Sequence, residues 1–325
     1  TSVYEHCVRA IELSMSRTGE HGLPLMGCGD WNDGMNLVGI KGKGESVWLA
    51  LFLVDVLQQF EKIAEKRNDQ QFAGKCRDTR DSLVESIEKN AWDGKWYMRA
   101  YFDDGTPLGS HANAECRIDS IPQSWAVLSG ATDPERARQS MDEMEKHLVR
   151  PKLGIVQLFD PPFDKSEKSP GYIKGYIPGV RENGGQYTHA AVWAGMAFSK
   201  LHDVKRAWEM ADMLNPVNHG RTREQINKYM VEPYVVSADI YTAKQHEGRG
   251  GWTWYTGSAG WMYRFFVESL LGLKLEVDTM SFEPVLPADW KECTIHYRFR
   301  ETVYHIRIHV SGPETWTVKS LILDG

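Results

Sequence analysis

The sequence predicts a mainly α-helical fold, an α/α toroid built from antiparallel helix pairs, followed by a small antiparallel β domain. Three observations predict this class. Apolar residues recur at helical spacing through about the first 275 residues, and long Gly- and Pro-rich connections separate pairs of helices. After that point apolar and polar residues alternate, as they do in strands. We therefore expect a helical portion over 1–275 and a β portion over 276–325.

The helical segments follow from apolar stripes and from end signals. SVWLALFLVDVLQQFEKIAEK carries a stripe wide enough for a helix buried on much of its surface. TDPERARQSMDEMEKHLV begins with Thr132 as the expected N-cap, Pro134 in the first turn and Glu135 closing a capping box. The remaining predicted helices cover QFAGKCRDTRDSLVESIEKNAW, YTHAAVWAGMAFSKL, DVKRAWEMADML and SAGWMYRFFVESLLGL. The connections 101–122, 151–186 and 215–256 are long enough to expect a functional role for them.

The β portion is predicted from period-two patterns. CTIHYRFRETVYHIRIHV indicates two antiparallel strands that turn near Arg300–Glu301. LKLEVDTMSFEPVLP indicates a second strand pair, and TWTVKSLIL one further strand.

Composition and charge argue against several classes of protein, including nucleic-acid-binding and membrane-spanning proteins. The 325 residues carry a net charge of −6, which argues against nucleic acid as a main partner. The five cysteines are scattered and form no CxxC pair, so we expect reduced thiols, a reducing compartment and no metal site. The most apolar run is interrupted by Asp55 and is too short for a membrane segment. The chain begins at Thr1 without a methionine and ends in LILDG, so we expect a fragment of a longer protein.

The stretch GLPLMGCGDWNDGMN, 22–36, places Asp30 and Asp33 around Trp31 among turn-forming residues. Cleavage of a glycosidic bond needs a carboxylic acid that protonates the leaving oxygen. Tryptophan offers a flat apolar face to a sugar ring, and the chain holds 12 of them. On local evidence, a structural Asx turn with one exposed indole and an acid-bearing sugar site are both open interpretations.

Two later segments place candidate anion ligands at helix starts, where free N–H groups and the helix dipole favour negative charge. GYIPGVRENGGQYTHAAVW, 175–193, contains Arg181, Glu182 and His189, with His189 in the first predicted turn. GRGGWTWYTGSAGWMYR, 248–264, places Thr256 and Gly257 directly before a helix. The alternatives are a core or capping histidine, a solvated Arg–Glu pair and an ordinary Thr N-cap.

Two sets of residues remain open between sugar contact and structure. Trp252, Trp254 and Trp261, in the segment 248–264, either stack on sugar rings or pack in the core, and we expect at least one of them in the core. In ECRIDSIPQSWAVLSG, the polar side chains of Glu115, Asp119 and Gln123 either bind sugar hydroxyls or cap a helix. One acid-bearing loop with two anion sites, and no evident second carboxylate, favours inverting phosphorolysis over hydrolysis.

Five motifs in order, GDWNDGMN, GKGESVWLA, ECRIDSIPQSWAVLSGA, PGYIKGYIPGVRENGGQYTHAAVW and WYTGSAGWMYR, resemble glycoside hydrolase family 94, the inverting β-glucoside phosphorylases. Within that family, the third and fourth motifs look most like the phosphorylase-like region of cyclic β-1,2-glucan synthases and like 1,2-β-oligoglucan phosphorylases. The resemblance implies part of an (α/α)6 barrel with a C-terminal β-sheet domain. It also implies that the family segment gripping the non-reducing sugar precedes this chain.

The resemblance implies roles for individual residues. Asp33 corresponds to the family's general acid and Trp31 to a sugar contact. His189, Thr256 and Gly257 correspond to phosphate ligands. The remaining substrate-binding candidates are Arg181, Glu182 and Asp30. The family often has Lys at position 181, and Asp30 is expected mainly to organise its loop.

The resemblance also implies substrates and setting. The expected reaction converts a β-glucan, most simply a β-1,2-glucan, and inorganic phosphate into α-glucose 1-phosphate without a cofactor. The alternative is a non-catalytic or length-regulating glucan-binding domain of a large synthase. A homodimer is the expected assembly, and the expected location is the cytoplasm, as part of a membrane-anchored synthase.

Overall fold

The computed structural model describes residues 2–254, 257–312 and 316–323. This part of the chain is mostly helical and carries small antiparallel sheets. The α-helices are α1 (Val3–Ser16), α2 (Val47–Lys66), α3 (Gln70–Asn90), α4 (Ser120–Ser129), α5 (Pro134–Leu148), α6 (Thr188–Lys200), α7 (Val204–Leu214), α8 (Arg223–Tyr229) and α9 (Gly257–Arg264). Shorter helical turns are the 3-10 helices Asp33–Met35, Tyr172–Gly175 and Pro216–Gly220 and the π-helix Phe265–Leu270.

The strands are short in the helical portion and longer near the C-terminus. They are β1 (Glu45–Ser46), β2 (Ala100–Tyr101), β3 (Pro107–Leu108), β4 (Ile118–Asp119), β5 (Val149–Arg150), β6 (Ile155–Val156), β7 (Phe159–Asp160), β8 (Gln186–Tyr187), β9 (Asp239–Ile240), β10 (Leu273–Glu276), β11 (Thr279–Phe282), β12 (Glu292–Phe299) and β13 (Thr302–His309). The paired strands are antiparallel, in the orders β1-β2-β3, β4-β7, β5-β6, β8-β9, β10-β11 and β12-β13.

The helices form two layers. In the inner layer α2 packs against α4, α4 against α6, and α6 against α9. In the outer layer α3, α5 and α7 pack on α2, α4 and α6. The inner helices α4 and α6 are buried along most of their length, whereas α3 and α5 bury only one face. This difference follows from sequence, since inner helices are apolar on most sides and outer helices are amphipathic.

Each inner helix contributes an indole to one aromatic cluster. Ring centroids of Trp125 and Trp193 lie 5.2 Å apart, and those of Trp193 and Trp261 lie 5.5 Å apart. Trp48 packs against Trp125 at 6.2 Å. The cluster therefore joins α2, α4, α6 and α9, and much of the high tryptophan content belongs to the core.

The first turn of α5 differs from the prediction. Asp133, not Thr132, is the N-cap, because its carboxylate accepts from the backbone N–H groups of Glu135 and Arg136. The Thr132 hydroxyl instead donates to the carbonyl of Ala126. Helices α1 and α8 lie outside the predicted segments, although both start with a complete capping box.

The β portion is partly as predicted. Strands β12 and β13 pair in register from Glu292↔His309 to Phe299↔Thr302, with the turn at the expected Arg300–Glu301. Strands β10 and β11 form the second predicted pair. The strand predicted over TWTVKSLIL is wrong for its described part, since 316–323 contains no strand. Within the described ranges, no helix is both long enough and apolar enough to cross a bilayer.

Candidate active site

The N-terminal ends of the inner helices meet on one side of the domain, and the predicted acid loop lies there. Residues 27–36 form this loop, called the acid loop below, and it ends in the 3-10 helix Asp33–Met35. Asn32 is buried and caps that helix by accepting from the Gly34 N–H at 3.0 Å. Asp33 is exposed at the helix start. The acid loop therefore presents one carboxylate to solvent from a hydrogen-bonded turn.

A second 3-10 helix, Tyr172–Gly175, packs on the acid loop. The approach requires glycine at position 34, because a Cβ there would lie 2.8 Å from the Cβ of Ile173. The Tyr172 N–H donates to the side chain of Asn36 at 3.0 Å. Burial, and then the nearby charge of Asp33, raise the pKa of the Tyr172 hydroxyl. Tyr172 thus lies beside the candidate acid.

Asp30, one of the substrate-binding candidates, has no exposed side-chain surface. Arg99 donates to both of its oxygens, each at 2.6 Å, and Ser46 donates at 2.6 Å. Burial opposes ionisation of Asp30, but the Arg99 guanidinium and these hydrogen bonds lower its pKa below the usual value. Asp30 therefore organises the loop from beneath and offers no surface to a sugar.

Trp31 joins the acid loop to the start of α6. Its indole N–H donates to Nδ1 of His189 at 3.4 Å, across 158 residues of sequence. The ring of Trp31 also packs edge-on against Tyr187 at 5.2 Å. His189 lies in the first turn of α6, as predicted. Two stretches that were separate candidates in the sequence thus share one site.

His189 is held as a neutral donor. An indole N–H can only donate, so Nδ1 of His189 must be an acceptor and Nε2 must carry the ring proton. Burial lowers the pKa of His189 to about 4. Its Nε2 is buried and has no hydrogen-bond partner within the described residues. A buried N–H without a partner is costly, which makes this atom a candidate ligand donor.

Arg181 and Glu182 lie in the segment 179–185, called the opposite wall below, and their charges act on Tyr172 and Tyr187. The guanidinium of Arg181 stacks over the rings of Tyr176 and Trp252, at 5.4 Å and 5.9 Å. One carboxylate oxygen of Glu182, Oε2, is buried without a hydrogen-bond partner among the described residues. Burial, and then Glu182, raise the pKa of Tyr187 to about 12. The pair is therefore part of the site wall, unlike a solvated surface pair.

The predicted phosphate loop is described only in part. Thr256 lies outside the described residues, and Gly257 is the first residue of α9. One turn later, Trp261 stacks on His189 with centroids 5.5 Å apart. Trp261 packs in the core, whereas Trp252 and Trp254 are 51% and 67% exposed. The start of α9 is thereby held near His189.

The fourth sequence segment has structural roles. Asp119 is the N-cap of α4, and Gln123 donates to the carbonyls of Tyr97 and Asp119. Glu115 accepts from three consecutive N–H groups, those of 164–166. The capping interpretation is correct for Asp119. Sequence reasoning missed Arg99, which lies between Asp30 and Asp119, because no local pattern marks it.

These features define the class of site. One loop carries an exposed carboxylic acid, Asp33, and the indole of Trp31, and that indole contacts His189, a buried and neutral N–H donor at the start of α6. Such a combination can protonate a leaving oxygen, hold a sugar face and bind an oxyanion. It is typical of a carbohydrate-active enzyme.

The chain belongs to the glycosyl hydrolase 94 superfamily, whose catalytic-domain model matches residues 1–272. It is 50% identical over 306 residues to the cyclic beta-(1,2)-glucan synthase NdvB of Rhizobium meliloti, covering 94% of this chain and 11% of the synthase. It is 32% identical over 326 residues to a solabiose phosphorylase of Paenibacillus borealis, covering 100% of this chain and 42% of that enzyme. The family predicted from the motifs is therefore confirmed.

A solved structure of a sialidase superposes with a TM-score of 0.57 at 16% identity, over 89% of this chain and 26% of the sialidase. At that identity the likeness concerns the fold alone. The chain spans less than half the length of both curated relatives.

Proposed function

We propose that this chain is the larger part of the catalytic region of an inverting β-glucan phosphorylase. Asp33 donates its proton to the glycosidic oxygen as the bond to the anomeric carbon breaks. A phosphate oxygen bonds to that carbon from the opposite face, so the product is α-glucose 1-phosphate. The other product is the glucan shortened by one glucose, and Asp33 regains its proton from the phosphate or from water.

The observation that carries the proposal is the hydrogen bond between Trp31 and His189. It holds the acid loop, which carries the exposed Asp33, against the start of α6, where Nε2 of His189 is an N–H donor without a partner among the described residues. Inversion requires proton donor and nucleophile on opposite faces of the sugar. Phosphate is already an anion near neutral pH, so its binding site needs donors more than it needs a base.

The remaining roles follow the family resemblance. His189, Thr256 and Gly257 bind phosphate, and Trp31 packs on the sugar. Arg181 and Glu182 bind sugar hydroxyls from the opposite wall. We further propose that the two helical layers form part of an (α/α)6 barrel, with the boundary to the β domain near residue 275.

The substrate we propose is a β-1,2-glucan, because the 50% identical relative is by name a synthase of that linkage. The test incubates the full-length protein with β-1,2-glucan, cellobiose and N,N'-diacetylchitobiose, each with and without phosphate. We expect α-glucose 1-phosphate from the β-1,2-glucan only when phosphate is present. Free glucose in phosphate-free buffer would instead identify a hydrolase.

The same relative supports a second function. A domain inside a large synthase can bind the growing glucan, or limit its length, without cleaving it. Glucan binding with no phosphate-dependent turnover on any of the three substrates would favour that function. In the same setting we propose a cytoplasmic location, attached to a membrane-anchored synthase, and a homodimer.

A further inference from the structure

We infer that Arg99 is a positioning residue for the proton donor, acting through Asp30 on the acid loop. The inference rests on the proposed function of Asp33 and adds to it a residue that lies outside the reacting groups. Arg99 is fully buried, 0% exposed, and it lies 69 residues from Asp30 in sequence.

The first step is the geometry of the ion pair. Nη1 and Nη2 of Arg99 donate separately to Oδ2 and Oδ1 of Asp30, each at 2.6 Å. A bidentate guanidinium–carboxylate pair fixes the direction of both groups as well as their distance. Asp30 is therefore held in orientation, and a single point charge in place of Arg99 would not hold it in this way.

The second step leads from Asp30 to Asp33. Oδ1 of Asp30 accepts from the Asn32 N–H at 3.0 Å, and Oδ1 of Asn32 accepts from the Gly34 N–H at 3.0 Å. These two turns bracket Asp33 on both sides in the chain. A tilt of the Asp30 carboxylate would therefore move the backbone that carries the exposed acid.

The third step is how Arg99 is itself held. Its backbone N–H donates to Leu108 at 2.8 Å, and its carbonyl accepts from Val47 at 3.2 Å, at the start of α2. Nε of Arg99 lies 3.3 Å from Oδ2 of Asp119, the N-cap of α4. Both of these atoms are buried and unaligned for a hydrogen bond. Arg99 thus connects the acid loop to the starts of two inner helices, α2 and α4.

The fourth step separates positioning from stability alone. Two buried carboxylates share one guanidinium, an arrangement in which desolvation offsets much of the attraction. Ordinary packing of apolar side chains would stabilise this region as well. What an apolar side chain cannot supply is the fixed angle of Asp30.

The test is the substitution Arg99→Lys in the full-length protein, which keeps the buried positive charge and removes the fork. We expect the turnover number for the glucan to fall about 10- to 100-fold, the loss caused by misplacing a reacting group by about 1 Å. The KM for phosphate should change less than turnover does, since His189 meets the acid loop through the Trp31 indole and not through the segment that carries Asp33. Arg80→Lys is the matched control, because Arg80 is an ion-paired arginine of α3 distant in the fold, and its turnover should be unchanged.

A double-mutant cycle with Asp33→Asn provides the decisive readout. If Arg99 acts through Asp33, the double variant should be no slower than Asp33→Asn alone. If the two losses multiply, Arg99 acts independently of the acid and the inference is wrong. Wild-type turnover of Arg99→Lys, or its failure to fold despite the retained charge, would also overturn the inference.

Failure of the proposed function looks different. In that case the wild-type protein releases no α-glucose 1-phosphate, or Asp33→Asn retains wild-type release. When both of those controls behave as expected, the Arg99 variants alone decide the positioning role. Asp30→Asn, which removes the same link from its other end, should show the same coupling to Asp33.

Discussion

The two walls of the candidate site are held in different ways. The acid loop, 27–36, depends on buried charge, since Asp30 beneath it pairs with Arg99 and neither side chain is exposed. The opposite wall, 179–185, is held by uncharged groups: the buried side chain of Asn183 donates to the carbonyls of Phe163 and Tyr176, and Gly179, Arg181 and Gly184 all have positive φ. The Gly179 N–H donates to the Asn183 carbonyl at 2.8 Å. The side chain of Arg181 rests on partly exposed rings and takes no part in this framework.

The two walls therefore differ in which interactions hold them in place. The wall that carries Asp33 is fixed by a buried ion pair, whereas the other wall is fixed by uncharged hydrogen bonds and its Arg181 side chain stacks on partly exposed rings. We therefore expect substitutions beneath the acid loop to be costly and conservative substitutions on the opposite wall to be mild.

The largest effect should come from Asp33→Asn. Because the amide cannot donate a proton as an acid does, phosphorolysis should fall about 10³-fold. The unfolding transition should not move, since Asp33 is exposed. Release of α-glucose 1-phosphate and the thermal midpoint measure the two parts, and near-wild-type release would refute the assignment.

The next effect should be on stability. Asp30→Asn leaves the guanidinium of Arg99 buried with half its charge compensation gone, so we expect a loss of about 3–5 kcal/mol in the free energy of unfolding. Asp104→Asn is the control, because Asp104 pairs with Lys168 on the surface, where solvent screens the pair, and the free energy of unfolding should barely change. Equal losses in urea unfolding would contradict the structural weight given to the buried Asp30–Arg99 pair.

The lowered pKa of His189 predicts that the free energy of unfolding depends on pH. Its pKa is about 4 in the folded chain against 6.5 ordinarily, so the unfolded state binds more protons between those values. Stability should therefore rise with pH from about 4 to 6.5, by about 2–3 kcal/mol from this residue. Asp119 acts in the opposite sense, because burial raises its pKa to about 6 and its contribution falls as pH rises.

The contribution of His189 is isolated by comparison with His189→Gln. The difference in unfolding free energy between the two proteins, measured in urea at pH 4, 5, 6 and 7, cancels the other titrating groups. A difference that does not change with pH would contradict a neutral, desolvated His189.

The smallest effect should come from Arg181→Lys. Lysine keeps the charge but loses the planar stack on Tyr176 and Trp252, which is worth about 0.5–1 kcal/mol at an exposed site. We expect the KM for glucan to rise about threefold while turnover and the KM for phosphate stay constant. A loss as large as that of Arg99→Lys would show that this wall is as rigid as the acid loop.

The helices and the main hairpin could be predicted because their signals are local. An apolar stripe identifies α2, and strict alternation identifies β12 and β13. Helix α1 was missed although it carries such a stripe, which consists of Tyr4, Cys7, Val8, Ile11 and Met15 and packs on the core. The strand expected over TWTVKSLIL fails because alternation alone does not supply a pairing partner.

The residues of the site could be predicted only where they belong to recognisable sequence motifs. His189 and Trp31 were candidates through family resemblance, but their contact spans 158 residues and no spacing rule predicts it. Arg99 lies directly before β2, no local pattern marks it, and its role depends on two carboxylates from distant segments. Buried ion pairs of this kind are visible only after the chain is folded.

The hydrogen bond from Trp31 to His189 has a consequence for chemoselectivity. With Nδ1 occupied by the indole N–H and Nε2 carrying the proton, this imidazole has no lone pair with which to activate a water molecule. A nucleophile that contacts His189 accepts a hydrogen bond from Nε2 but cannot transfer a proton to the ring. The arrangement therefore favours a reactant that arrives already charged and disfavours water, which is present at far higher concentration.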